Sequence, residues 1–209
     1  MIKKSKVSNA VMGDDNLLRE IANFLDQRNS IAYVNEFSEE SAKQFFNDYT
    51  KAIRNGQNIF VTVIDSYGGF IDSLIFMMDI IDSSPIPVAT VCVGKGMSCG
   101  SILLSHGTKG LRFISPNSRV MIHNVSSGSW GKQPEIQVDS DEVKRLQKTI
   151  FERMAKNCGK KKDFFLAELK KRGNTDWFLT AQEAKKMGIV DHIRIPTFST
   201  NIQVQNIIS

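Results

Sequence analysis

Short β-branched runs alternate with segments of helical period along the middle of the chain, the signature of parallel βαβ units. Ser30 to Asn35 (SIAYVN) predicts a strand. Asn58 to Ile64 (NIFVTVI) is the near-continuous apolar run expected of a strand buried on both faces. Between them, Ser38 to Asn55 predicts a helix: Ser38 can cap it, Glu39 and Glu40 sit in its first turn, and Gly56 follows its end. After Asp65-Ser66-Tyr67-Gly68-Gly69 comes an apolar helix from about Phe70 to Ile81, with Pro85 and Pro87 breaking the pattern. Val88 to Val93 (VATVCV) predicts the next strand, Gly94 to Gly100 a turn, and Ser101 to Ser105 a short helix ended by His106-Gly107. Strands Leu111 to Ile114 and Arg119 to His123 follow, separated by Ser115-Pro116-Asn117.

Pro134 to Asn157 carries a long helical pattern in which Val143, Leu146, Ile150 and Met154 recur at three- and four-residue steps, giving one apolar face. Such a helix either packs on the core or projects towards a partner subunit, and the pattern allows both. A second helix, about Lys162 to Lys171, ends at Gly173. Thr180 caps the last, with Glu183 three residues on and Gly188 closing it. No repeat, low-complexity tract or Pro/Gly linker divides the chain, so one domain is expected over residues 1–209, with 1–29 as its N-terminal segment.

Charge changes the picture little. The 27 Lys+Arg exceed the 22 Asp+Glu by five, and 41% hydrophobic with 23% charged residues is ordinary globular usage. The basic residues gather at Arg153, Lys156, Lys160, Lys161, Lys162, Lys170, Lys171 and Arg172, with Glu152, Asp163 and Glu168 among them. No RRM, KH or zinc-finger signature accompanies them, so a solvated helical surface is expected and no nucleic-acid partner. Lys3, Lys4 and Lys6 are not followed by an apolar signal core. Apolar stretches such as Leu74 to Ile81 are interrupted by Asp72, Asp79 and Asp82, well short of the ~18–20 residues that span a bilayer. Cys92, Cys99 and Cys158 are odd in number without CxxC spacing, which argues against a disulfide framework or a zinc ribbon. A cytoplasmic protein with no membrane association is the expectation.

Candidate chemistry centres on Gly96-Met97-Ser98-Cys99-Gly100, a G-x-S-x-G pattern between a predicted strand and a predicted helix. A tight turn there exposes the serine Oγ, and the Cys99 N–H at a helix start can face a developing oxyanion. The plainer reading is glycines serving a turn or close helix packing. Gly68-Gly69 follows the preceding strand, and parallel strands end on a common carboxyl edge, so Gly69 could supply a second donor. Of three histidines, His106 lies in a polar loop (SHGTKG) and reads as a helix-terminating solvent residue. His192 follows the last helix beside Asp191 and reads as surface, whereas His123 ends a strand and is well placed for the carboxyl edge.

The order of a GG pair, Ser98 in GMSCGS, PNSRVMIH ending at His123, and then FLTAQEAKKMGIVD resembles the caseinolytic protease (ClpP) family over about Arg28 to Ile193. The resemblance implies an α/β fold, a ClpP/crotonase-like ββα superhelix with a protruding handle helix. It also implies a self-compartmentalised serine endopeptidase acting on unfolded polypeptides. Ser98 would be the nucleophile, His123 the general base, and the Gly69 and Cys99 amides the oxyanion hole. Asp176 is taken as the third member, with Glu168 and Asp163 as alternatives. Gly68 and the stretch Val125, Ser126, Ser127, Gly128 would bind substrate, since Ser126 to Lys132 matches the strand that pairs with an extended peptide. The 134–157 helix would be the handle joining two stacked heptameric rings of a homo-oligomer fed by an AAA+ ATPase unfoldase. No metal or organic cofactor is implied. Ser66-Tyr67-Gly68-Gly69-Phe70 stands where the family reads SPGGS, a departure that suits a phage-encoded or otherwise divergent member.

Two rival functions start from the same residues. A catalytically silent ClpP-like subunit would keep the fold for structure alone. An α/β-hydrolase-type esterase would use the same G-x-S-x-G but place its histidine last, making His192 the base.

Overall fold

The computed structural model describes residues 29–126, 128 and 130–198, so the expected N-terminal segment lies almost wholly outside the described residues. In chain order the elements are β1 (Ile31–Val34), α1 (Glu39–Arg54), β2 (Phe60–Ser66), α2 (Ile71–Asp82), β3 (Val88–Met97), α3 (Cys99–His106), β4 (Arg112–Ile114), β5 (Arg119–Ile122), α4 (Gln133–Asn157), α5 (Phe164–Lys171), β6 (Trp177–Thr180), α6 (Ala181–Met187) and β7 (His192–Ile193). This is the α/β architecture that the alternating pattern implied.

One sheet organises the chain, in the order β1-β2-β3-β4-β7, with β5 pairing β3 and β6 pairing β5. Every pairing is parallel except β5 with β6. β3 serves two neighbours along its length: Thr90 to Cys92 pair with β4, and Lys95 to Met97 pair with β5. That second ladder corrects one expectation. The strand does not stop at Val93 for a seven-residue turn; it runs on to Met97, because its glycines leave room for extended pairing with β5. The turn is reduced to Ser98 alone, and the following helix starts at Cys99 rather than Ser101. β6 was not predicted either. Its alternating burial shows Trp177 and Leu179 facing the core while Phe178 and Thr180 face out.

Helix ends follow their sequence signals. The Ser38 hydroxyl accepts from the Ser41 N–H at 3.1 Å while the Ser41 hydroxyl accepts from the Ser38 N–H at 2.9 Å, a reciprocal cap for α1. Thr180 and Glu183 do the same for α6, and Gly188 ends it in a left-handed conformation. Asp163 stands at the α5 N-terminus but makes no side-chain capping bond. In α4 only Ile150, Phe151, Met154 and Ala155 are buried, and no residue from Gln133 to Thr149 is. The helix is rooted by its last two turns, where each large apolar side chain contributes ~1.5–3 kcal/mol on burial, and its front part stands clear of the core. Several of the basic residues are paired: Arg153 with Asp79 and Asp82, Lys162 with Glu152, and Lys171 and Arg172 with Glu168. Among the described residues no helix is long and apolar enough to cross a membrane.

Arg112 on β4 is buried to 1% exposure and knits four segments. Its guanidinium meets Asp191 twice, Nε to Oδ2 at 2.9 Å and Nη2 to Oδ1 at 2.7 Å. Its Nη1 donates to the carbonyls of Ser105, at the end of α3, and Asn157, at the end of α4 (3.3 and 3.0 Å). Burial works against the Asp191 carboxylate, but the Arg112 hydrogen bonds and charge, with the Gly110 and Arg112 amides, outweigh it and hold the pKa down to about 2. Because that lies below the 3.8 of an unperturbed aspartate, the unfolded chain binds the proton first as pH falls. The stabilisation is therefore complete above about pH 4 and is lost on descent towards pH 2. Asp191→Asn is expected to lower unfolding stability by about 3–5 kcal/mol by stranding a buried guanidinium. The double variant Arg112→Met with Asp191→Leu is expected to lose less, as measured by denaturant unfolding at pH 7.

Candidate active site

Ser98 occupies the one-residue turn between β3 and α3 with φ 55° and ψ −123°, a conformation that costs a non-glycine residue ~1–3 kcal/mol. Three bonds hold it there. Its N–H donates to the Met121 carbonyl at 2.8 Å, and its carbonyl accepts from the Ser101 N–H and hydroxyl at 3.0 and 2.7 Å. The turn projects Oγ into a cavity of about 290 Å³ lined by, among others, Tyr67, Gly69, Cys99, Met121, His123 and Phe151.

The Gly68-Gly69 turn arrives from β2 and presses on this serine. A Cβ on Gly68 (φ +114°) would sit 2.6 Å from the Ser98 Cβ, and one on Gly69 (φ +148°) 2.3 Å from the Phe37 carbonyl oxygen. Phe37 clasps the turn: its N–H donates to the Gly68 carbonyl at 3.1 Å and its carbonyl accepts from the Phe70 N–H at 2.7 Å. The Ser66 hydroxyl accepts from the Gly68 N–H at 3.0 Å. A third link comes from Cys99, whose thiol donates to the Gly69 carbonyl at 3.3 Å. Burial pushes that thiol up to about 11, so it stays protonated as the bond requires. Gly69 and Cys99 both line the cavity, and the Cys99 N–H, first in α3, has no intrahelical acceptor.

His123 follows β5 directly and brings Nε2 to 2.8 Å from Ser98 Oγ. The antiparallel register Ile122↔Trp177 carries on by one step to oppose His123 with Asp176. Their closest atoms, His123 Nδ1 and Asp176 Oδ1, are 3.9 Å apart, beyond hydrogen-bond length, with half the carboxylate in solvent. Glu168 instead pairs with Lys171 and Arg172, and Asp163 sits at the start of α5, so neither alternative acid pairs with His123.

The remaining candidates fall as follows. Val125 and Ser126 line the cavity but form no strand here; the Val125 N–H donates to Gln147 Oε1 of α4 at 2.7 Å. Gly128 is exposed, and Ser127 lies outside the described residues. His192 stacks on Phe113 at 5.0 Å and places Nε2 3.1 Å from the Gly110 carbonyl, away from Ser98. His106 corrects an expectation: it is not a solvent residue but is buried, with Nδ1 2.7 Å from the Asn157 amide nitrogen and Nε2 2.8 Å from Asp82 Oδ1. Burial lowers its pKa despite the neighbouring carboxylate of Asp82. The helical pattern could have shown this, since His106 falls three residues after the core residue Leu103. Phe37 was not anticipated, and no local motif marks it; Ser66 entered the sequence reading only as the first residue of the Ser66-Tyr67-Gly68-Gly69-Phe70 stretch.

The chain matches the Clp protease family over residues 13–196 and therefore belongs to it. The family is one of peptidases, which act on peptide substrates and typically assemble as oligomers.

Gly68→Ala places a methyl group against Ser98 and strains the turn by a further ~1–2 kcal/mol. The expected outcome is retained helical circular dichroism with labelling of Ser98 by a fluorophosphonate slowed by at least about tenfold.

Proposed function

We propose that this member of the Clp protease family is a serine endopeptidase that hydrolyses unfolded polypeptides inside an oligomeric chamber. The observation that carries the reading is the 2.8 Å contact between His123 Nε2 and Ser98 Oγ. With the proton on Nδ1, Nε2 accepts the Ser98 hydroxyl proton as Oγ attacks the scissile carbonyl. The tetrahedral oxyanion is then met by the Gly69 and Cys99 N–H groups, each donor of this kind being worth ~2.7–4 kcal/mol. His123 passes its proton to the leaving amine, and water hydrolyses the acyl-enzyme by the reverse path.

Asp176 is assigned the orienting role. Catalytic contacts are often long before substrate binds, and closing 3.9 Å to a hydrogen bond would fix the Nδ1–H tautomer. Gly68 makes room beside Ser98, and Val125 to Gly128 flank the path of an extended substrate. The exposed front of α4 suits a handle between two stacked heptameric rings of identical single-domain subunits. An AAA+ unfoldase supplying chains in the cytoplasm completes the proposal.

A fluorophosphonate probe tests it. Wild type is expected to label and Ser98→Ala not to label, while His123→Ala abolishes peptide cleavage and His192→Ala leaves it intact. Asp176→Asn is expected to lower kcat by about 10⁴. Equal labelling of wild type and Ser98→Ala would remove the nucleophile assignment. An assembled wild type that neither labels nor cleaves would mark a silent subunit.

A further inference from the structure

Among the described residues, Tyr67 is the one large aromatic side chain that both lines the cavity beside Ser98 and stands mostly in solvent, at 73% exposure. It is nevertheless held. Lys95 Nζ lies 4.4 Å from its ring centroid, and the same ammonium is 2.7 Å from Asp65 Oδ1. The carboxylate has that position because residue 94 is glycine: a Cβ there would stand 2.8 Å from Asp65 Oδ1. Lys95 in turn is fixed by the ladder between β3 and β5, paired opposite Arg119. The backbone under the ring is the clasped Ser66–Gly69 turn, which fixes where the side chain starts.

We propose that Tyr67 is a specificity-determining residue, its ring forming one wall of a subsite beside Ser98 that takes an apolar substrate side chain and turns away lysine and arginine. Lys95 is its positioning residue. This rests on the peptidase reading above. An acyl group on Ser98 Oγ, with its carbonyl oxygen towards Gly69 and Cys99, lies in the cavity that Tyr67 helps to wall. A flat or branched apolar side chain gains ring contact and dehydration there. A basic side chain gains no such contact on that face of the ring, because the Lys95 ammonium already occupies it.

The test maps cleavage sites in an unfolded, casein-like polypeptide by mass spectrometry for wild type, Tyr67→Ala, Tyr67→Phe and Lys95→Met, with fluorophosphonate labelling of each. Tyr67→Ala is expected to lose the apolar preference at one substrate position by about three- to tenfold while Ser98 still labels. Tyr67→Phe retains the preference. Lys95→Met admits lysine and arginine severalfold more often at that same position. An unchanged profile in Tyr67→Ala, or changes at different positions in the two variants, would overturn the assignment. So would a Tyr67→Ala variant that loses labelling together with cleavage, because the ring would then only brace the turn. A wild type that fails to label removes the peptidase reading itself, an outcome separate from these.

Discussion

Two turns from different βα units must touch, and the candidate site exists because they do. Gly68 comes so near Ser98 that no side chain fits between them. That contact brings the Gly69 and Cys99 amides, which belong to separate loops, to one cavity. It is enforced from three directions: Phe37 grips the glycine turn through two backbone hydrogen bonds, Cys99 ties its thiol to the Gly69 carbonyl, and the Met121 carbonyl fixes the Ser98 N–H. The sheet accommodates the approach by slipping the β2–β3 register between Ile64 and Ser66, which sets Ser66 beside Gly96. A strained serine conformation persists there because its surroundings overdetermine it.

A second knot lies around the far end of α4. Asn157 offers its carbonyl to Arg112 and its side-chain amide to His106, while Arg153 one turn earlier reaches Asp79 and Asp82. Since the Asn157 amide donates to Nδ1, the neutral His106 ring carries its proton on Nε2 and gives it to Asp82. A buried ion pair such as Arg112–Asp191 is weak evidence for stability in itself, but it is directional, and the guanidinium it orients meets the carbonyls of Ser105 and Asn157 near the ends of α3 and α4. Ile150 and Phe151, within two turns of Asn157, line the cavity beside Ser98. The root of the projecting helix is thus also a wall of the cleft, and the two regions share side chains.

The parts of the fold that could be read from sequence are those whose signals are local. Capping residues, β-branched runs and the three-to-four spacing of Ile150 and Met154 give the helices and most strands within a residue or two. What stayed hidden is set by partners distant in the chain. β3 continues through Gly94 and Gly96 because β5 is there to pair with it, and a glycine-rich stretch alone reads as a turn. His106 looked polar because its partners, Asp82 and Asn157, are 24 and 51 residues away. In the site, Ser98 and His123 were legible from strand-end logic. Asp176 was visible only as an acid near the right place, since the four-residue strand that delivers it opposite His123 has no prominent pattern. Phe37, the clasp, was silent for the same reason: its work is done by backbone atoms.

The antiparallel β5–β6 pair has a consequence for the growing chain. A ribosome delivers Ser98 and His123 long before β6, and Arg112 must wait 79 residues for Asp191. At ~5–20 residues per second that interval is about 4–16 s. Over most of it the nascent polypeptide holds Ser98 and His123 without the strand that brings Asp176 opposite His123, and a guanidinium whose counter-charge has not yet been made. Vectorial synthesis therefore keeps the cleft unfinished until the last part of the described domain emerges.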